Sequence, residues 1–375
     1  MIEVRTLTDG GQPAHEVANT IAEFLGEARR SLDLAHYDFN LGPETAAVVG
    51  GAIREAAARG VAVRIAYNVD FRNPIPVPPP PEPDAQLIAS FGVPERAIPG
   101  VPDLMHHKYV IRDAESIWTG SMNWTDDSFS RQENVIAVAT STEVAAAYTS
   151  DFEQLWTTGT VEQSGFVEPN TINLNGTPVR VWFTPGHGED LSARIARAIY
   201  RAKQRVRIAS PVITTGPVLG ALAQVVSEGK VDLAGVVDQT QIRGVVYQWG
   251  ENGNVYWKLP LLIRALSQGF KGKPSTKWEP EGSLHDFMHA KVTVTDDTVF
   301  IGSYNLSRSG ERNAENVLEI ESPDLADRLA VYIDEIRTLY PEVVLDGQAP
   351  HQPDPGQREQ GRQAEAERPR AFLDE

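Results

Sequence analysis

The sequence contains no cysteine. Disulfides, thiolate metal sites and a cysteine nucleophile are therefore excluded. Positive charge is scarce: 34 Lys and Arg face 51 Asp and Glu, a net charge of −17 over 375 residues. A chain this acidic is expected to be soluble and not to coat a polyanion with its whole surface, although a local basic cleft is compatible with it. No run of about 18 apolar residues occurs, so no membrane-spanning helix is expected. The segment Met1 to Gln12 lacks a basic start followed by an apolar run, so no secretory signal is expected and a cytoplasmic location is. Histidine is also rare, with eight in the chain.

Against that scarcity, two of the histidines sit in two copies of one pattern. His106-His107-Lys108 runs to Asp113 and is followed by Gly120-Ser121-Met122-Asn123. His289-Ala290-Lys291 runs to Asp296 and is followed by Gly302-Ser303-Tyr304-Asn305. Each copy then has a Glu-Asn pair, Glu133-Asn134 and Glu315-Asn316. A single Gly-Ser-x-Asn would be an ordinary turn. Its recurrence at nearly the same offset makes Ser121, Asn123, Ser303 and Asn305 candidate phosphate contacts.

The halves match beyond the motifs. Strands are expected at residues 31–37 and 205–210, and again at Val61–Tyr67 and Val231–Val237. Helices are expected at Glu44–Arg59 and Pro217–Glu228, ending at the C-cap glycines Gly60 and Gly229. Helix candidates at His15–Arg30 and Leu191–Lys203 open the halves, and others at Glu143–Trp156 and Pro323–Leu339 close them. Strands alternating with helices predict an α/β fold of two similar lobes, each a mixed sheet flanked by helices, packed as an internal pseudo-dimer. The expected divisions are a first domain at 1–160, a linker at 161–177, a second domain at 178–345 and a disordered acidic tail at 346–375. Residues 73–84, with four consecutive prolines at Pro78–Pro81, read as a stiff loop.

On a strand spanning Met105 to Arg112, His106 and Lys108 share a face while His107 points to the other. His289 and Lys291 do the same. Two lobes meeting face to face would put two imidazoles and two ammonium groups around one pocket. Such a set suits a phosphodiester. One imidazole attacks phosphorus, and the other passes a proton to the leaving oxygen and later takes one from the incoming water or alcohol. Two lysines and two asparagines hold the charge on the non-bridging oxygens, so neither metal nor cofactor is required. The scheme needs the two histidines in opposite protonation states, with their pKa values pushed apart. Asp113 and Asp296 each end a strand before a turn, which predicts a structural role. His36, His107, His187 and His285 read as packed or surface residues. His285 and His289 lie four apart, but on a strand that spacing is not a zinc site.

The His-x-Lys-x4-Asp motif, present twice, resembles the defining motif of the phospholipase D superfamily, and the resemblance covers most of residues 1–340. It implies a site shared between the lobes, with His106 as nucleophile and with Glu133 and Glu315 hydrogen-bonding the imidazoles; they follow their histidines by 27 and 26 residues. It also implies that one chain makes a complete site as a monomer. The substrate class is less constrained. Gly120 to Thr125 resembles the nuclease and cardiolipin-hydrolase branch, whereas two motifs in one chain resembles phospholipases and phosphatidyltransferases. Between Gln239 and Leu284 lie Arg243, Lys258, Arg264, Lys271, Lys273 and Lys277, interleaved with Trp249, Tyr256, Trp257 and Trp278. That mixture suits base stacking and equally peripheral contact with an anionic lipid surface. A phospholipid is the favoured substrate. Nucleic acid is the alternative, and a phosphate-binding module without catalysis is a third reading.

Overall fold

A computed structural model describes residues 2–71, 83–276 and 285–346. The proline run Pro78–Pro81, Lys277, Trp278 and the tail from Gly347 onward lie outside these residues.

The first lobe runs β1 Ile2–Leu7, α1 Ala14–Gly26, β2 Ser31–His36, β3 Phe39–Asn40, α2 Pro43–Ala58, β4 Ala62–Phe71, α3 Ala85–Ala89, β5 Glu95–Gly100, β6 Lys108–Arg112, β7 Ser116–Gly120, β8 Trp124–Thr125, α4 Asp126–Ser130, β9 Asn134–Thr140 and α5 Thr142–Thr158. The second runs β10 Ile172–Leu174, β11 Thr177–Thr184, α6 Gly188–Arg201, β12 Arg205–Ser210, α7 Gly216–Glu228, β13 Asp232–Asp238, α8 Gln239–Glu251, α9 Leu259–Leu266, β14 Phe270–Lys273, β15 Val292–Thr295, β16 Thr298–Gly302, α10 Arg308–Arg312, β17 Glu315–Glu321 and α11 Pro323–Arg337. The strand orders are β1-β9-β7-β6-β2-β4-β5 and β10-β11-β17-β16-β15-β12-β13-β14. Apart from β10, the second order repeats the first strand for strand, so the sequence duplication is a duplication of topology. In each sheet a parallel trio, β2-β4-β5 or β12-β13-β14, joins an antiparallel set at the catalytic strand.

The repeated helices form for repeated reasons. Both α5 and α11 begin at a serine, Ser141 and Ser322, whose hydroxyl accepts from the backbone N–H three residues on. In α6, Leu191, Ile195 and Ile199 recur at helical spacing and are buried, with Glu189 and Asp190 in its first turn and Arg201 in its last. The cores follow. One packs α1 and α2 on the outer face of the first sheet, and another packs α6, α7 and α9 on the outer face of the second. A third lies between the sheets and draws on α5, α11 and residues of both. Tyr332 of α11 donates to the Leu7 carbonyl at 2.8 Å, and Arg328 to that of Val4 at 2.9 Å. The lobes therefore share a core rather than touching at a rim.

One expectation shifts. The segment assigned to the linker supplies β10, which pairs with β11, so the second sheet begins at Ile172. The basic and aromatic stretch after Gln239 folds into α8, α9 and β14, with Trp249 buried and Tyr256 and Trp257 exposed. Among the described residues no helix is long and apolar enough to cross a membrane.

Candidate active site

The site lies where the lobes meet. The catalytic strand begins later than the motif implies: β6 starts at Lys108, and Met105 forms a parallel bridge with Ala314 of the other lobe. The His106 N–H donates to the Ala314 carbonyl at 2.9 Å. In the second lobe Met288 bridges Glu133 in the same way. Each bridge is braced from behind, since the Met105 N–H donates to Asn68 Oδ1 at 2.9 Å and the Met288 N–H to Asp238 Oδ2 at 3.2 Å. Each histidine is thus set by the opposite lobe's Glu-Asn strand.

The Gly-Ser-x-Asn words have a steric logic. A Cβ on Gly120 would sit 2.1 Å from the Val135 carbonyl oxygen, and one on Gly302 1.9 Å from that of Asn316. Only glycine lets these strands approach. The next residue, Ser121 or Ser303, then bonds the same strand. Ser121 Oγ donates to Asn134 Oδ1 at 2.8 Å, and Ser303 Oγ accepts from the Asn316 N–H at 3.0 Å. Both serines are buried, and these bonds brace the Glu-Asn strands. Beyond each asparagine, Thr125 and Ser307 cap the short helices α4 and α10. This fixes Asn123 and Asn305, whose Oδ1 atoms have no hydrogen-bond partner among the described residues.

The structure brings His106, Lys108, His289 and Lys291 together, all four buried and each histidine within reach of both ammonium groups. Lys108 Nζ donates to the His106 carbonyl at 2.6 Å, and Lys291 Nζ to that of His289 at 2.9 Å. His106 Nδ1 lies 2.8 Å from Glu315 Oε2, a bond across the lobes. His289 Nδ1 instead meets Asn134 Oδ1 at 3.1 Å. Both contacts make Nδ1 the donor, so Nε2 carries the lone pair in each ring. Glu133 corrects the symmetric expectation. It is buried, but its carboxylate accepts from Lys273 Nζ at 2.9 Å and from the Tyr340 hydroxyl, not from an imidazole. Lys273 also lies 3.2 Å from Asp9, and a buried ammonium holds a carboxylate more firmly than a neutral ring does.

Burial pushes both histidines well below their ordinary pKa, and Lys108 and Lys291 add to the effect on each. The expected split between them is therefore not present: both face the same two cations. Burial brings Lys108 down to about 7 against the pull of Glu315 and Asp38. Burial raises Glu315 to about 8, with Lys108, Ser303, Lys291 and Asn313 opposing. Asp113 and Asp296 are structural. Asp113 accepts from the N–H groups of Arg29, Arg30 and Ser31, and Asp296 from those of Lys203, Gln204 and Arg205. Burial alone would raise Asp113, but these bonds outweigh it and its pKa is lowered.

Aromatic walls went unread in the sequence. The Tyr37 ring lies 4.6 Å from that of His106 and 4.8 Å from Lys108 Nζ. Phe287 lies 4.8 Å from His289 and 4.7 Å from His285. Asp38 is buried nearby. Burial pushes it up to about 8, Asp127 adds to that, and Lys108 opposes it. Pairing Tyr37-Asp38 with their repeat equivalents Pro211-Val212 was the available signal. His107 faces away from the pocket, with Nδ1 3.2 Å from Asn316 Nδ2 and Nε2 3.0 Å from Asp151.

Comparison with known proteins agrees with this architecture. The family described as "Cardiolipin synthase, PLD-like domain" matches residues 21–156 and 195–337, one repeat per lobe. Mitochondrial cardiolipin hydrolase of Homo sapiens is 28% identical over 158 residues, 41% of this chain and 58% of that protein. The protein of the same name from Xenopus tropicalis is 30% identical over 134 residues, 35% of this chain and 57% of that protein. The chain thus spans less than two thirds of the length of these relatives. Phosphatidylserine synthase of Haemophilus influenzae Rd KW20 has a TM-score of 0.62 at 13% identity, over 97% of this chain and 93% of that one. Polyphosphate kinase of Porphyromonas gingivalis has a TM-score of 0.59 at 12% identity, over 97% of this chain and 53% of that one. These two likenesses are of fold. With both repeats matched by the family and both motifs converging on one pocket, the chain belongs to the phospholipase D superfamily.

Proposed function

We propose that the protein is a metal-independent phosphodiesterase of the phospholipase D type, acting through a phosphohistidine on His106, with a phospholipid as favoured substrate. The observation that carries this reading is the His106–Glu315 bond inside a pocket that also holds two lysines. His106 Nε2 attacks phosphorus, an N–P bond forms, and the P–O bond to the leaving alcohol breaks. That oxygen takes its proton from His289. Water or an alcohol then gives a proton back to His289 and attacks phosphorus, and the N–P bond breaks. Lys108, Lys291, Asn123 and Asn305 bind the non-bridging oxygens.

His289 must be protonated when the leaving oxygen departs, although the protein alone holds it neutral. A diester anion offsets that. At about 4 Å and an effective dielectric near 20, one negative charge stabilises an imidazolium by about 4 kcal/mol, or about three pKa units. Substrate binding therefore pushes His289 toward its protonated form, opposite to the effect of the protein's own groups.

The lipid preference rests on the relatives named as cardiolipin hydrolases. The second reading, a nuclease, is favoured by the exposed Tyr256 and Trp257 beside Lys258, which suit base stacking. Parallel assays on phosphatidylcholine, cardiolipin, single-stranded DNA and RNA decide between them. Turnover of a lipid that disappears in His106→Ala and His289→Ala supports the first reading. Turnover of nucleic acid alone supports the second, and no turnover of any substrate fails both.

A further inference from the structure

The phosphate machinery is two-fold symmetric, but a phosphodiester carries two different arms. Each lobe has a short parallel pairing beside its asparagine. In the first lobe Phe39 pairs with Trp124, and in the second Ile213 bridges Leu306. The residues just before these pairs are therefore equivalent: Asp38 beside Asn123, and Val212 beside Asn305. The Trp124 N–H donates to the Asp38 carbonyl at 3.0 Å, which fixes the first two backbones side by side. Residues in register on parallel strands present their side chains to one face.

Only the first lobe carries acceptors at both positions. Asp38 and Asn123 are 4% and 7% exposed, and the Oδ1 atom of each has no hydrogen-bond partner among the described residues. Buried acceptors without donors are costly, and two of them together point to a ligand that brings donors. Asp38 also follows Tyr37, whose ring packs on His106, and it feels Lys108. In the second lobe the equivalent Pro211-Val212 offers no polar side chain. There the chain runs on to Gly216, where an added Cβ would lie 3.5 Å from the indole of Trp257, itself 59% exposed. One wall is polar and the other apolar.

We propose that Asp38 and Asn123 form a headgroup subsite in the first lobe, taking the arm of the diester that carries hydroxyl or primary amine donors, while the apolar arm lies toward Pro211 and Val212 of the second lobe. The inference rests on the phospholipase reading and adds substrate orientation and headgroup class to it. A quaternary ammonium headgroup has no donor and leaves both acceptors unsatisfied.

The test compares kcat/KM on phosphatidylglycerol, phosphatidylethanolamine and phosphatidylcholine in vesicles of otherwise equal composition. The wild type is expected to prefer the first two. Asp38→Val, which copies the second lobe, is expected to lower the ratio of phosphatidylglycerol to phosphatidylcholine about tenfold, the size of one lost hydrogen bond to a buried acid. The isosteric Asp38→Asn keeps an acceptor and guards against misfolding; its ratio is expected to fall about threefold. An equal loss on all three lipids, or no change in the ratio for either variant, overturns the subsite alone. Failure of the wild type to cleave any lipid overturns both the subsite and the lipid reading.

Discussion

Glu315→Gln and Glu133→Gln stand at equivalent places in the two repeats and are expected to fail differently. Glu315 lies 2.8 Å from His106 Nδ1, and the positive charge that develops on the attacking ring favours its ionised form, so the amide weakens a bond that is charge-assisted in the transition state. Such a bond contributes about 1.5–3 kcal/mol, and if it is felt in the transition state its loss costs about 10- to 150-fold in kcat. An amide that turns its NH₂ toward Nδ1 also imposes the wrong tautomer, which in a Ser-His-Asp triad raises the cost to about 10⁴. The expected loss is therefore about 100-fold or more, with little change in melting temperature. Glu133 instead neutralises the buried Lys273. Breaking a buried pair costs about 3–5 kcal/mol, and the lower end applies because Asp9 stays 3.2 Å from Lys273. At about 2 °C per kcal/mol the melting temperature falls by about 6 °C, while kcat stays within about threefold. The assay is initial rates on bis(p-nitrophenyl) phosphate beside thermal melts. A hundredfold loss of kcat in Glu133→Gln at an unchanged melting temperature would refute the reasoning, because Glu133 would then serve His289 during turnover.

Further outcomes follow from the same geometry. The free enzyme's kcat/KM should fall as pH rises through about 7, where Lys108 loses its charge, and its acid limb should lie below 6.5 because both histidines are depressed. Lys108→Arg should abolish the alkaline limb at a lower plateau, and a pH–rate profile from about pH 5 to about pH 9 reads this directly. Asp113→Ala should cost about 1–3 kcal/mol of stability by stranding the N–H groups of Arg29, Arg30 and Ser31, with kcat kept. The Asp113 pKa is lowered on folding, so its contribution is present above the unfolded value and lost as pH falls through the folded one. The melting-temperature gap to wild type should therefore close below about pH 3.8. Mixing His106→Ala with His289→Ala should restore no activity, since one chain supplies both motifs to the pocket; substantial recovery would show sites formed between chains.

The duplication was legible because strand and helix periodicities repeat in the same order, and the two sheets repeat it strand for strand. The convergence of the lysines and histidines was legible because the motif fixes which side chains share a face. Pairing across the lobes was not. Nearly equal intervals from histidine to glutamate suggest like partners, yet Glu315 crosses to His106 while Lys273 and Tyr340 claim Glu133. Lys273 lies in a basic and aromatic stretch that reads as a ligand-facing surface, and folding into β14 buries it against Glu133. The bracing role of the serines was not legible, because a hydroxyl in a phosphate motif suggests a substrate contact first. The steric demand at Gly120 and Gly302 instead draws each serine onto the neighbouring strand.

The central claim is that His106 forms the covalent intermediate in a centre built from both repeats. Quenching the enzyme with a phosphorus-labelled diester in alkaline denaturant, which preserves an N–P bond, followed by peptide mapping at alkaline pH, tests it most directly. The expected result is label on the His106 peptide, absent from His106→Ala and accumulating in His289→Ala with an activated leaving group. Label on His289 would reverse the roles, and no adduct at all, with activity abolished by a chelator, would contradict the mechanism.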